Sequence, residues 1–219
     1  MKLRTVAIYG AGYLGRQVLH HVQNYCDDVE LVGFVDDTIQ KGKLITQNFT
    51  NLGSLDGIRS NPSLSPGDLS LVFAIGYADM HARKNALQRA TSAGYDLFTI
   101  THPKAIVEPG SAVGVGSILL GACVIDQGVS IGKACFVDIG VRLGAETRAG
   151  DNNYFSSGTC TGSRVEIGSN CFFGMNATLT TNVRIGDNLF INAQSLVAAD
   201  LPDNTKFVEM RKSRNLPIS

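Results

Sequence analysis

From Val107 to Val197 one side chain in every six is apolar: Val107, Val113, Leu119, Ile125, Ile131, Val137, Leu143, Ala149, Phe155, Ile167, Phe173, Leu179, Ile185, Ile191 and Val197, with Thr161 as the exception. The next position is repeatedly glycine (Gly114, Gly132, Gly144, Gly150, Gly162, Gly168, Gly174 and Gly186). Four residues after the apolar one stands a small or β-branched side chain such as Ser117, Val129, Thr147 or Ala177. A period of six fits neither the helical repeat nor simple strand alternation. It suits short strands that turn a corner every six residues, each sending one aliphatic side chain inward, with glycine where the backbone bends. Coils built this way pair edge to edge and bury a continuous aliphatic column.

The pattern resembles the hexapeptide repeat of left-handed parallel β-helices, whose coils each use three hexads. The fold expected here is an all-β left-handed parallel β-helix of about five coils over residues 102–200, with a C-terminal tail over 201–219. After Val197 the phase stops. The tail carries Lys206, Arg211, Lys212 and Arg214 and is expected to pack back or reach a neighbouring subunit.

The first hundred residues have a different rhythm. Thr5 to Tyr9 reads as a strand, Gly10-Ala-Gly-Tyr-Leu-Gly15 as a turn, and the stretch through Arg16, Val18, Leu19 and Val22 as a helix. Glu30 to Val35 forms a second buried strand ending in Asp36 and Asp37, about twenty residues beyond the glycines. In that arrangement Gly10, Gly12 and Gly15 let backbone N–H groups approach a phosphate at a helix N-terminus, and the acid meets a ribose hydroxyl. A tight turn with no ligand would look the same. Gly53 to Asp68 is loop, Leu71 to Ile75 a strand ending at Gly76, Ala78 to Ala93 a helix, and Tyr95 to Ile100 a last strand. Residues 1–101 therefore form an α/β Rossmann-like half-domain. With one mononucleotide half in place of two, it is sized for a nucleotide or nucleotide-sugar.

Composition narrows the partners. The 219 residues carry 19 basic and 19 acidic side chains, a net charge of zero, which removes the basic excess expected of nucleic-acid or lipid-surface binders. The apolar run after Lys2 and Arg4 is too short for a signal peptide, so a cytoplasmic protein without membrane insertion is expected. Of five cysteines, Cys123, Cys135 and Cys171 fall at the small fourth-step position and are read as packing residues. No spacing suggests a metal site. His20, His21, His81 and His102 are read as surface or junction residues.

Over nearly its whole length the chain resembles the bacterial sugar O- and N-acyltransferases related to sialic-acid O-acetyltransferase and the bacillosamine-pathway acetyltransferase. The resemblance rests on Gly10-Ala-Gly-Tyr-Leu-Gly15, Phe34-Val-Asp-Asp37, Ala74-Ile-Gly76, His102-Pro103, Ile167 to Ala177 and Ala199-Asp-Leu-Pro-Asp203. It implies a homotrimer of bacterial surface-polysaccharide biosynthesis. Acetyl-CoA would lie between neighbouring β-helices, near Gly162, Ser163, Gly174 and Met175. A nucleotide-linked amino sugar would sit on the N-terminal domain at Gly10, Gly12, Gly15, Asp36, Asp37 and Gly76. No metal is implied.

The chain departs from this family where the chemistry is done. The family's general-base histidine falls at Ala145, a second frequent histidine at Tyr154, a common asparagine at Asp138, and the terminal G-N-P-A at Val208 to Arg211. The candidates left for catalysis are Asp138 and Glu146. An alcohol depends heavily on a positioned base, worth about 10²–10⁴-fold, whereas a free amine attacks a thioester unaided and sheds its proton afterwards. N-acylation is therefore favoured over O-acylation, and the competing expectation is a non-catalytic trimer that binds nucleotide-sugar or acyl-CoA.

Overall fold

The computed structural model describes residues 3–209. Strands β1 (Arg4–Tyr9), β2 (Val29–Val35), β3 (Ser70–Phe73) and β4 (Asp96–Leu97) form one parallel sheet in the order β2-β1-β3-β4. Helix α1 (Tyr13–Tyr25) follows β1, and the short α2 (Leu55–Ile58) interrupts the expected loop. A second long helix, α3 (Met80–Ser92), links β3 to β4. Strand β1 is buried on both faces. Val6 and Ile8 join the core shared with α1, while Ala7 and Tyr9 point to the opposite core with Leu71 and Phe73.

The rest of the chain is a parallel β-solenoid of three sheets with five, seven and six strands, each strand pairing with the one a coil away. Eighteen strands at three per coil make six coils, one more than the hexad count predicts. The added rungs lie at the two ends. Ile100–Thr101 pairs with Ile118–Leu119, so the expected strand from Tyr95 to Ile100 divides, one part joining β3 and the other starting the solenoid. At the far end Phe207 pairs with Ile191 and Leu201 with Ile185. The last coil is thus two residues shorter than the eighteen-residue repeat and resumes after the hexad phase stops. Lys206 of the tail stacks over the Phe190 ring. Arg211, Lys212 and Arg214 lie outside the described residues.

The aliphatic positions fill the solenoid interior as predicted, from Leu119 to Val197, and Ser117, Val129, Thr147 and Ala177 are buried beside them. Burial pushes the thiols of Cys123, Cys135 and Cys171 up to about 11, 12 and 12, which fits packing residues. The glycines after the aliphatic positions have another role than the one expected. The left-handed turn residue comes two positions later, as at Ala122, Ala134, Glu146, Asn152 and Asn176, all with φ between 53° and 61°. The glycines themselves lie where coils press together: a Cβ on Gly132 would stand 2.5 Å from the Gly150 carbonyl carbon.

The two parts meet over the seven-stranded face. Its outward side chains Ile118, Phe136, Tyr154 and Phe172, one per coil, pack into the core that holds Val18, Val22 and Val72. Arg83 of α3, 1% exposed, crosses this junction. It donates to the carbonyls of Ile75 and, at 2.8 Å, of Ala134, and lies over the Phe73 ring. Nearer the start of the solenoid, His102 packs edge to face against His21 and Tyr25, whose own rings are tilted at 34°, so these histidines are junction residues. His21 is 9% exposed, and its Nδ1 has no partner among the described residues.

Two predictions follow from these contacts. Gly132→Ala should cost about 2–4 kcal/mol because the added carbon strikes backbone. Gly140→Ala, which meets open space at φ +70°, should cost about 1–2 kcal/mol. Thermal melts of the two variants check the order, and the reverse order would remove coil stacking as the reason for the glycines. Burial, then His102 and His20, lower the His21 pKa below 6.5 against an opposing pull from Asp138. The unfolded chain therefore takes up this proton first. The stabilisation is whole above about pH 6.5 and shrinks as pH falls below it. In urea titrations at stepped pH, His21→Phe should flatten this part of the profile, and an unchanged slope would show that His21 does not contribute it.

Candidate functional site

The carboxyl ends of β1, β2 and β3 face one corner of the solenoid across a cleft of about 920 Å³. A parallel sheet leaves its crevice there, where neighbouring connections leave in opposite directions. One wall comprises the loop and helix start from Gly10 to Leu14, Asp36, and the segment Ala74 to Ala78. The other is the corner between the seven- and six-stranded faces, with Asp138, Ser157, Gly174 and Met175. No lysine, arginine or histidine lines the cleft among the described residues.

The three loop glycines have three separate reasons. Gly10 has φ +109°, and a Cβ there would stand 2.7 Å from the Ala74 carbonyl oxygen. A Cβ on Gly15 would collide with the Gly10 carbonyl oxygen, so this glycine lets α1 start tight against β1. A Cβ on Gly12 meets nothing, nor does one on Gly76, and both line the cleft. Gly12 is also the N-cap of α1 and supplies no side-chain cap, leaving the N–H groups of the first turn to solvent or ligand. The two acids part company. Asp36 lines the cleft and accepts from Ala11 N at 2.9 Å and from Thr38 N at 2.9 Å. Asp37 turns away to accept from Arg89, Tyr9 and the Leu55 N–H. Burial raises the Asp37 carboxyl, but those three donors outweigh it and hold the group below its usual range. Asp37 is a structural residue and Gly15 a packing one; neither lines the cleft.

On the solenoid wall Asp138 is half-buried, its carboxylate accepting from the Ser157 hydroxyl at 2.7 Å and from Ile139 N at 2.8 Å. Behind it an aromatic column runs up the face. Phe136 stacks on Tyr154 at 4.7 Å, Phe172 on Phe190 at 4.9 Å, and Tyr77 from the other wall covers Tyr154 and Phe172. Sequence reasoning missed this column although its signal is present: Phe136, Tyr154, Phe172 and Phe190 recur every eighteen residues. Burial, then the charge of Asp138, raise the Tyr154 hydroxyl well above the ordinary tyrosine value, so it stays protonated. The buried Arg83, lowered to about 10 by desolvation, keeps its charge at neutral pH.

The remaining candidates divide between two corners. Met175 is 58% exposed at the cleft. Gly174 is buried, and a Cβ on it would stand 2.4 Å from Ala193 N, so coil stacking accounts for this glycine. Glu146, Gly162 and Ser163 lie at the next corner, between the six- and five-stranded faces, and do not line the cleft. Glu146 is exposed at a left-handed turn with φ 61°. Gly162, like Gly174, is closed by the next coil, with Thr181 N 2.6 Å from an added Cβ. Among the described residues no three His, Cys, Asp or Glu side chains are grouped to hold a metal ion, and no helix is long and apolar enough to cross a membrane.

No protein-family model matches the chain, and no curated protein matches it in sequence. Solved structures do share its fold. The acetyltransferase domain of PglB from Neisseria gonorrhoeae, in complex with acetyl coenzyme A, is 23% identical over 93% of this chain and 95% of its own, with a TM-score of 0.79. A mutant of perosamine N-acetyltransferase from Caulobacter crescentus, in complex with CoA and GDP-perosamine, is 24% identical over 92% of each chain, with a TM-score of 0.81. WeeI from Acinetobacter baumannii is 19% identical over 94% of this chain and 96% of its own, with a TM-score of 0.80. The chain has the left-handed β-helix fold found in sugar N-acetyltransferases.

Proposed function

We propose that this protein transfers an acyl group, acetyl in the simplest case, from acyl-CoA to the amine of a nucleotide-linked amino sugar. The observation that carries the reading is the single cleft in which the open glycines Gly12 and Gly76 face Asp138. With no cationic side chain in the lining, a diphosphate has the uncapped N–H groups at the start of α1 to meet it. The carboxylates Asp36 and Asp138 suit a positively charged acceptor. The similar structures support the same substrates, since one holds acetyl coenzyme A and another CoA with GDP-perosamine.

The amine, once it has lost a proton to solvent, attacks the thioester carbonyl carbon. The C–N bond forms, the C–S bond breaks, and CoA leaves as thiolate. Asp138, steadied by Ser157, orients the amine and receives its second proton, which then passes to solvent or the thiolate. This route needs no histidine, and none lines the cleft among the described residues. The division of candidates between two corners favours a shared site. One pantetheine arm reaches both Met175 and the Glu146–Ser163 corner if it lies between two copies of the chain, as in a closed cyclic trimer. Exposed Ile139, Met175 and Phe190 at the cleft rim provide apolar surface for such an association.

Three measurements test this reading. Incubation with acetyl-CoA and a panel of nucleotide-linked amino sugars should give an acetylated product by mass spectrometry. If no amino sugar is acetylated but the panel still binds, the protein is a binding protein. Asp138→Asn should lower kcat by about 10- to 100-fold, at the low end of general-base effects, and full activity would remove Asp138 from the mechanism. Light scattering at micromolar concentration should give a trimer. A monomer would end the shared-site part of the reading while leaving the cleft itself standing.

A further inference from the structure

The Tyr154 hydroxyl is the one polar atom of a side chain otherwise enclosed by rings. The residue is 5% exposed, lines the cleft, and its hydroxyl makes no hydrogen bond with the described residues. The hydroxyl is not one of the buried atoms without a partner, so it opens to the cleft, where a ligand or water takes it. The ring has little freedom to look elsewhere. Phe136 stacks beneath it at 4.7 Å, Tyr77 covers it at 4.8 Å, and the Arg83 guanidinium lies 5.9 Å from its centroid. Asp138 is its neighbour along the solenoid: Tyr154 pairs with Phe136, two residues before Asp138, in a rung about 4.8 Å away.

The cleft therefore holds a neutral donor and a carboxylate side by side on one rigid face. An oxyanion developing at Tyr154 would be opposed by the charge on Asp138, which makes the hydroxyl a poor oxyanion donor. A neutral oxygen next to an ammonium matches both groups. We propose that Tyr154 is a specificity-determining residue that reads a vicinal amino alcohol on the acceptor, donating to the hydroxyl oxygen on the carbon beside the amine while Asp138 takes the amine. This rests on the acyl-transfer reading for its substrate class, and the following test separates the two.

The test uses UDP-, dTDP- and GDP-linked 4-amino sugars, each with and without the hydroxyl beside the amine, against wild type and Tyr154→Phe. Acyl transfer gives kcat/KM, and calorimetry without acyl-CoA gives Kd. Wild type should prefer the hydroxylated acceptor by about 10- to 100-fold, the range for a hydrogen bond to a buried group. Tyr154→Phe should lose that preference, with its constant for the deoxy acceptor equal to or above that of wild type. A merely structural role would lower both acceptors together, and that result overturns the proposal, as does a preference that survives in Tyr154→Phe. If wild type acylates nothing, the acyl-transfer reading fails, and the calorimetric comparison alone decides: equal hydroxyl preference in the two proteins, or no binding by either, overturns the role of Tyr154.

Discussion

Behind the cleft a charged side chain, Arg83, is buried at the junction of sheet and solenoid and bonds to both. Arg83 has no carboxylate partner among the described residues, yet it is enclosed in the core. Two backbone carbonyls accept from it, Ile75 on the sheet side and Ala134 on the solenoid side, and the Phe73 ring faces its charge. Burying an ion is expensive unless its donors are met; the two terminal nitrogens have these carbonyls, one from each part, while Nε has no partner among the described residues. The guanidinium thus ties the segment Ile75–Tyr77, one wall of the cleft, to the coil that supports the other. It also lies against Tyr154, so wall position and ring position are set by the same group.

Around that junction each part contributes what its geometry favours. The parallel sheet offers backbone at its carboxyl edge, and α1 begins there without a side-chain cap. Such an edge can meet phosphate through N–H groups while Gly12 keeps the approach clear. The solenoid contributes rigidity. Identical rungs repeat Phe136, Tyr154, Phe172 and Phe190 up one face and hold Asp138 and Ser157 at its corner. No histidine lines the cleft among the described residues, and a carboxylate alone is a weak base, which favours an amine as acceptor.

The hexad phase made the solenoid interior legible residue by residue, because inward side chains must be apolar whatever else the coil does. The strand, glycine turn and helix at the N-terminus were equally plain. What stayed hidden is what depends on contacts between coils or between the two parts. Gly132, Gly162 and Gly174 look like bend or ligand glycines in sequence, but each is required by the backbone one coil away. The short last coil was invisible because Leu201 and Phe207 fall out of phase while still pairing with Ile185 and Ile191. Among the site candidates, Gly10, Gly12, Asp36, Gly76, Asp138, Gly174 and Met175 come together, whereas Asp37 and Gly15 serve the fold and Glu146, Gly162 and Ser163 occupy another corner. Arg83 gave no sequence signal, since a lone arginine in a helix reads as a solvated side chain.

The central claim is that nucleotide-sugar and acyl-CoA meet in this cleft between the sheet edge and the Asp138 corner. A crystal structure with CoA and a nucleotide-linked amino sugar bound tests it most directly. The account predicts the diphosphate within hydrogen-bond distance of backbone N–H groups at the start of α1 and the amine beside Asp138, with the pantetheine arm passing Met175. A sugar or CoA bound away from Gly12 and Asp138 would contradict it.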